Sequence, residues 1–424
     1  MNTSRIGRLL AERRPLRFGT DRPFDRDGLR TASRGSRRCD RHTRNNAQPF
    51  DRLTRGTRLP GLDGLRAVAV IGVILFHAGV VGAELGWAGV ELFFVISGFL
   101  ITRILLDLRP NPRYLQTFYA HRALRILPVY YLMLLLSVLA ATAAGRGLAS
   151  LDLPFYIVYV QNYFPQIPTA MDGGIPLTSH TWTLAVEEQF YWAWPLVVLI
   201  AGSRALRVIV IGCIIGAPVA RVALLLATGN PYAVVATLPA QIDALAVGAA
   251  LALAERHGVA PQVVRLYATV ALVAGALLVA LLVATGGGLV AFADTRIWAA
   301  SAVNSLLLSA FAASFGGIVA LTVFGGGRAA VRILEWPPLV HIGRVSYGLY
   351  IYGPLALLLA ALLITFLDRS IGPGGTGETV LATVLTYVLA IASWHYLETP
   401  VLRLRGTVDV WISRERQLDR HDWA

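Results

Sequence analysis

The stretch Leu62 to Gly82 reads LDGLRAVAVIGVILFHAGVVG, an apolar run of 21 residues interrupted only by Asp63, Arg66 and His77. About 20 apolar residues cross a bilayer as a helix. Hydrocarbon offers backbone groups no partners, so an open chain must cross as helix. Nine further blocks pass the same ruler: Ala88–Leu106, Leu127–Ala144, Thr183–Ala201, Val208–Thr228, Leu238–Ala254, Leu266–Thr285, Ile297–Phe324, Leu339–Phe366 and Val380–Leu397. The reading is an all-α, polytopic integral membrane protein of about ten transmembrane helices.

Composition agrees. Of 424 residues 55% are apolar and 15% charged, with mean hydropathy +0.59, whereas soluble domains average about 25% charged. An ordinary cytosolic enzyme is excluded. Cys39 and Cys213 stand far apart, and no disulfide framework or cysteine metal site follows from them.

The net charge of +13 is concentrated at the start, where residues 1–58 hold 16 arginines against six carboxylates. Such an arm is expected to be disordered or to touch anionic lipid. It is no signal peptide, because the first apolar block comes late and others follow it. All 38 basic residues are arginine, a codon signature of a GC-rich genome rather than of nucleic-acid binding. The organisation expected is a basic cytoplasmic tail over 1–58, a ten-helix membrane domain over 59–404, and a short cytoplasmic tail over 405–424.

Arginine in short connections is retained in the cytoplasm. With the tail inside, the inner connections hold Arg109, Arg113, Arg122 and Arg125, then Arg204 and Arg207, Arg256 and Arg265, Arg328 and Arg332, and Arg403 and Arg405. The outer ones hold little beyond Arg146, Arg296 and Arg369. Both termini are therefore placed in the cytoplasm. The long outer connection Gly145–Trp182 carries Pro154, Pro165, Pro168 and Pro176 around Asp172-Gly173-Gly174, chemistry that forbids a long helix. Its aromatic run, Phe155-Tyr156 through Tyr163-Phe164, is expected to lie on the membrane surface as a partial lid. The glycine stretches at 286–288, 325–327 and 372–377 read as loops.

Charges within spans are costly and default to functional hypotheses. Arg66 and His77 are eleven residues apart, which places them on one helix face about 16 Å apart along the axis. They would serve opposite ends of a long ligand. His77 is either a buried ring bonded to a neighbour or a general base, since imidazole with a reference pKa of about 6.5 accepts a proton at neutral pH. Asp63 and Arg66 either pair near the inner end, or Arg66 clamps an anion. Glu91, Glu187, Glu188 and Asp243 lie toward the outer ends of their helices, with Arg221 the expected ion-pair partner of Asp243. Glu187 and Glu188 point about 100° apart, so one can orient His77 while the other packs elsewhere. Arg122 and Arg125 fall on one side of a helix start, an arrangement that suits phosphate. No His-x-x-x-x-Asp box, Gly-x-Ser-x-Gly elbow, Walker loop or His-Glu-x-x-His helix is present, and His77, His180, His341 and His395 lack metal-ligand spacing. No internal repeat is visible either, which weakens a transporter reading.

Taken in order, these motifs resemble the integral-membrane acyltransferase family 3, which includes bacterial O-acetyltransferases of surface glycans, peptidoglycan, lipids and macrolides. Leu62-Asp63-Gly64-Leu65-Arg66-Ala67 through Phe76-His77 is similar to its first-helix signature, and Gly89-Val90-Glu91-Leu92-Phe93-Phe94-Val95-Ile96-Ser97-Gly98-Phe99-Leu100-Ile101 to its second. Arg122-Ala123-Leu124-Arg125-Ile126-Leu127-Pro128 and Thr181-Trp182-Thr183-Leu184-Ala185-Val186-Glu187-Glu188-Gln189-Phe190-Tyr191 resemble the next two. Gly343-Arg344-Val345-Ser346-Tyr347-Gly348-Leu349-Tyr350 and Glu398-Thr399-Pro400 resemble the late motifs. The resemblance covers roughly Leu59 to Leu404. Gln241 departs from an arginine common in the family beside Asp243, and Gly353 from a histidine.

The resemblance implies His77 as catalytic base, Glu187 or Glu188 as supporting carboxylate, and Arg66, Arg122 and Arg125 in donor binding. Asp63, Glu91, Ser97, Arg221, Asp243, Ser346 and Tyr347 are expected to support them. The expected activity is acyl transfer, acetyl foremost, from acyl-CoA as co-substrate to a hydroxyl of a surface carbohydrate, glycolipid or exported small molecule. An acyl-enzyme on Ser97 is compatible but not required. No bound cofactor, metal or nucleic acid is expected. The partners expected are membrane lipid and, as no esterase-like domain follows Glu398-Thr399-Pro400, an acceptor reached directly or through a separate relay protein. The site is the multi-pass cytoplasmic membrane of a bacterium. The rival is a transporter of an anionic or sugar-linked substrate.

Overall fold

A computed structural model describes residues 59–147, 151–163, 177–294, 298–325, 328–367 and 375–412. The basic tail, Cys39, the Asp172-Gly173-Gly174 turn and residues 372–374 of the 372–377 loop lie outside the described residues.

Among the described residues there is no strand, and ten helices of 18 residues or more form the framework. They are α1 (Pro60–His77), α2 (Gly89–Leu108), α3 (Tyr114–Ala143), α4 (Trp182–Ile200) and α5 (Ser203–Thr228). After them come α6 (Leu238–Arg256), α7 (Pro261–Thr285), α8 (Leu306–Val323), α9 (Ser346–Leu367) and α10 (Thr376–Ser393). Segments containing eight of these are long and apolar enough to cross a membrane. The other two, α1 and α4, carry Asp63, Arg66 and His77, and Glu187, Glu188 and Gln189. The chain is an all-α, polytopic membrane protein.

Lipid supplies no hydrophobic drive between helices, so small residues that let backbones approach take over. At the crossing of α2 with α6, a Cβ on Gly98 would lie 2.0 Å from the Leu245 carbonyl oxygen, and one on Gly248 2.1 Å from that of Val95. These two helices are largely buried. By contrast α5 and α7 turn Ile211, Ile215, Val219, Leu266, Val270 and Leu277 outward, an apolar surface suited to lipid. Gly343, in a short helix Pro337–Arg344, sits directly on the Asp63 carbonyl. That contact ties the late glycine-arginine motif to the start of α1.

Several boundaries differ from the hydropathy reading. Residue 114 already begins α3, so Arg122 and Arg125 lie inside a 30-residue helix that continues through Pro128, not at a helix start. Its first half is too polar for a hydropathy ruler to see. The first helix ends at His77 because Gly79 and Gly82, at φ 65° and 88°, take left-handed turns. The block Leu339–Phe366 breaks at Val345, which places Ser346 and Tyr347 at the opening of α9. A π-turn, Trp394–Glu398, follows α10, and helix resumes to Ile412. Residues 405–412 are thus structured, and Asp409 bonds the buried His121 at 2.9 Å.

The described part of the long connection is packed into protein more than laid on the surface. Tyr156 and Tyr159 are buried, Tyr159 stacks on Tyr130 at 4.3 Å, and Gln189 of α4 donates to the Tyr159 carbonyl at 2.7 Å.

Candidate active site

The three arginine candidates converge, and Glu187 and Glu188, expected nearer the outer ends, join them. Arg66, Arg122, Arg125, Ser97, Glu187, Glu188, Ser346 and Tyr347 line one cavity of about 90 Å³ between α1, α2, α3, α4 and α9. Arg66 meets Asp63 only loosely, at 3.9 Å. The Arg122 guanidinium lies 4.2 Å over the Tyr191 ring, its Nε without a hydrogen-bond partner. Neither Arg122 nor Arg125 makes an ion pair within 4.0 Å among the described residues. Three guanidinium groups thus share one cavity with the carboxyl groups of Glu187 and Glu188, and guanidinium is the side chain whose geometry suits a phosphate or carboxylate ligand.

The two adjacent glutamates both line this cavity, against the expectation that only one would face a site, and they differ in their partners. Ser97 donates to Glu187 Oε1 at 2.5 Å, whereas Glu188 Oε1 is buried without a partner. Neither lines the cavities that hold His77, which corrects the expectation that one of them orients it. The orienting group is on α1 itself. His77 Nδ1 lies 2.8 Å from the Val73 carbonyl. A carbonyl only accepts, so Nδ1 carries a hydrogen, and in the neutral tautomer the lone pair is on Nε2.

His77 is exposed into two cavities, of about 300 Å³ and about 190 Å³. Both are bounded by His180 and Tyr350, and Tyr350 is also a wall of the arginine cavity. The tyrosine hydroxyl is 2.8 Å from Thr183 Oγ1 and donates to the His180 carbonyl at 2.9 Å. The arginine cavity thus meets both His77 cavities at Tyr350, and the smaller of them at Val90 as well, with Arg66 and His77 on one unbroken α1.

Glu91 lines the smaller His77 cavity with its Oε2 unpartnered. Asp243 belongs to a buried structural pair. It accepts from Arg221 Nη2 at 2.9 Å and Nη1 at 3.3 Å, and from Ser309 at 2.6 Å. Arg221 supplies the guanidinium that Asp243 meets, while the Gln241 amide donates to the Val235 carbonyl at 2.7 Å. Gly353 borders the larger His77 cavity, with open space where a Cβ would stand. Replacing Gly353 by phenylalanine should fill that cavity with the fold intact. Turnover of bulky acceptors should then fall at least tenfold, with smaller ones spared, an effect of about 1–3 kcal/mol measurable as a ratio of kcat/KM values.

Residues that sequence reasoning passed over as site members include His180, Thr183 and Tyr350. His180 sits in the turn Ser179–Thr181 ahead of α4, and neither ring nitrogen has a hydrogen-bond partner. Burial, and next the neighbouring His77, pushes its pKa down to about 4, so the ring is neutral. A usable signal existed, since a histidine at position 180, two residues before Trp182, directly precedes the fourth quoted motif.

Comparison with known proteins meets this geometry. A family model described as an acyltransferase domain matches residues 59–395. The chain belongs to this acyltransferase family. Its relatives include YrhL of Bacillus subtilis (strain 168), 29% identical over 368 residues, 81% of this chain and 55% of the relative. The peptidoglycan O-acetyltransferase OatA of Listeria monocytogenes is 29% identical over 370 residues, 82% of this chain and 57% of the relative. The O-acetyltransferase OatA of Staphylococcus aureus (strain NCTC 8325 / PS 47) is 28% identical over 362 residues, with 81% and 57% covered. The chain thus spans just over half the length of these relatives. No solved structure matches it. The transporter reading finds no support among these matches.

Proposed function

We propose that this chain is a membrane O-acyltransferase that carries an acyl group, acetyl foremost, from acyl-CoA to a hydroxyl of a cell-envelope carbohydrate. The observation that carries the reading is the abutment at Tyr350 of the three-arginine cavity and the His77 cavities. The arginines hold the donor's phosphates from the cytoplasmic side, the side on which the positive-inside pattern of the loops would place them. The donor's arm then rises past Tyr350, a span that the separation of about 16 Å along α1 suits. His77 Nε2 takes the acceptor's hydroxyl proton as its oxygen attacks the thioester carbonyl, and the proton leaves with the thiolate. The relatives' names point to peptidoglycan as acceptor, reached directly or through a relay protein in the cytoplasmic membrane. Ser97, whose hydroxyl proton Glu187 holds, is the group that would carry a covalent intermediate if one forms.

Purified protein given acyl-labelled CoA and glycan acceptors should leave labelled product in detergent as well as in sealed liposomes. Absence of product with every hydroxyl acceptor, the protein being folded, would sink the reading. Arg122→Ala should raise the KM for acyl-CoA about 10- to 100-fold with a much smaller change in kcat, since a charge-assisted bond is worth about 1.5–3 kcal/mol. An unchanged KM would remove the phosphate role.

A further inference from the structure

The histidine beside His77 has its backbone held by hydrogen bonds and its ring packed against Tyr350 and near the Ile351 backbone, but neither ring nitrogen has a hydrogen-bond partner of good geometry. The His180 carbonyl accepts from Tyr350 at 2.9 Å and from Thr183 Oγ1 at 3.1 Å, and the Tyr350 ring meets the imidazole edge-on at 5.2 Å. Its two ring nitrogens are nevertheless buried and unpartnered, and the ring borders both cavities that His77 enters. A neutral imidazole always carries one N–H and one lone pair. Buried polar groups left unpaired are costly and call for an explanation, and on the wall of a cavity that holds a candidate base the explanation that fits is a catalytic role.

We infer that His180 is a second catalytic imidazole, whose N–H donates to the carbonyl oxygen of the acyl group as His77 deprotonates the acceptor. This rests on the acyl-transfer reading. The acceptor oxygen forms a bond to the thioester carbon while its proton passes to His77 Nε2. The carbonyl electron pair moves onto oxygen and is met by the His180 N–H. The pair then returns, the carbon–sulfur bond breaks, and the thiolate takes the proton from His77. No oxidant or further reactant is needed. A fixed donor aimed at developing charge stabilises the transition state more than the ground state. Pinning the His180 backbone through Tyr350 and Thr183 supplies that fixity at the wall between the two halves of the site.

The test uses the full-length protein with acyl-CoA and a hydroxyl acceptor, comparing His180→Ala and His180→Asn, the latter keeping a side-chain N–H. His180→Ala should lower kcat about 10²- to 10³-fold. The donor KM should stay within about threefold. The acid limb of the pH–rate profile should be retained, because that limb belongs to the base. His180→Asn should recover at least about tenfold of the loss. The thermal unfolding midpoint of His180→Ala should hold or rise, since an unpaired buried group has been removed, and that of His180→Asn, which keeps one, should stay close to wild type. Near-wild-type kcat in His180→Ala overturns the inference. So does loss of the acid limb, equal loss in both variants, or loss of activity together with a lowered midpoint. Wild-type protein that makes no acylated product overturns the acyl-transfer reading itself, and the role of His180 with it.

Discussion

Replacing His77 by glutamine is expected to lower kcat about 10²- to 10⁴-fold while donor KM and thermal unfolding change little. The size follows from what the substitution removes. Glutamine keeps a donor for the Val73 carbonyl, the contact that fixes the ring at 2.8 Å, but has no lone pair basic enough to take a hydroxyl proton. His77 ends α1 exposed to two cavities rather than buried in the core, so little packing is lost. The check is steady-state kinetics beside a melting curve. Turnover within about threefold of wild type would assign proton abstraction to another group.

The second large effect is on stability. Arg221→Met should destabilise the protein by about 3–5 kcal/mol, because it leaves the Asp243 carboxylate buried without its counter-charge. Arg221 is fully buried and Asp243 nearly so, and neither borders the cavities around His77 or the arginines. Chemical denaturation in detergent measures the loss. Replacing both residues together, Arg221→Met with Asp243→Leu, should recover most of it, since the cost lies in the orphaned charge rather than in the missing attraction. A double variant no better than the single one would show that Ser309 and the Ala240 carbonyl, which Arg221 also bonds, need the guanidinium in their own right.

Much of this protein was legible before any coordinates. A bilayer about 30 Å thick sets a ruler, and each apolar block of the right length announces its helix with no reference to the others. Charges are costly in that medium, so Arg66, His77, Glu91, Glu187, Glu188, Arg221 and Asp243 stood out one by one. Spacing along α1 alone placed Arg66 and His77 on one face at opposite ends, because a helix has a single period and rise. These are local facts, and local facts survive in a sequence.

Which helix meets which is not local. Only packing brought Ser97 of α2 to Glu187 of α4, and drew Arg122 and Arg125 from α3 into the cavity that Arg66 enters from α1. Only packing turned both glutamates away from His77 and left Val73 to orient it. The polar half of α3 hid from the hydropathy ruler, because a helix buried among helices need not be apolar all round. Tyr350 and His180 carry no charge to betray them. Their importance comes from position alone, at a wall shared by three cavities and on a ring with no partner. Side-chain type and periodicity determine what each helix can offer. Close approach at residues such as Gly98, Gly248 and Gly343 decides what those offers face, since it sets which backbones can touch.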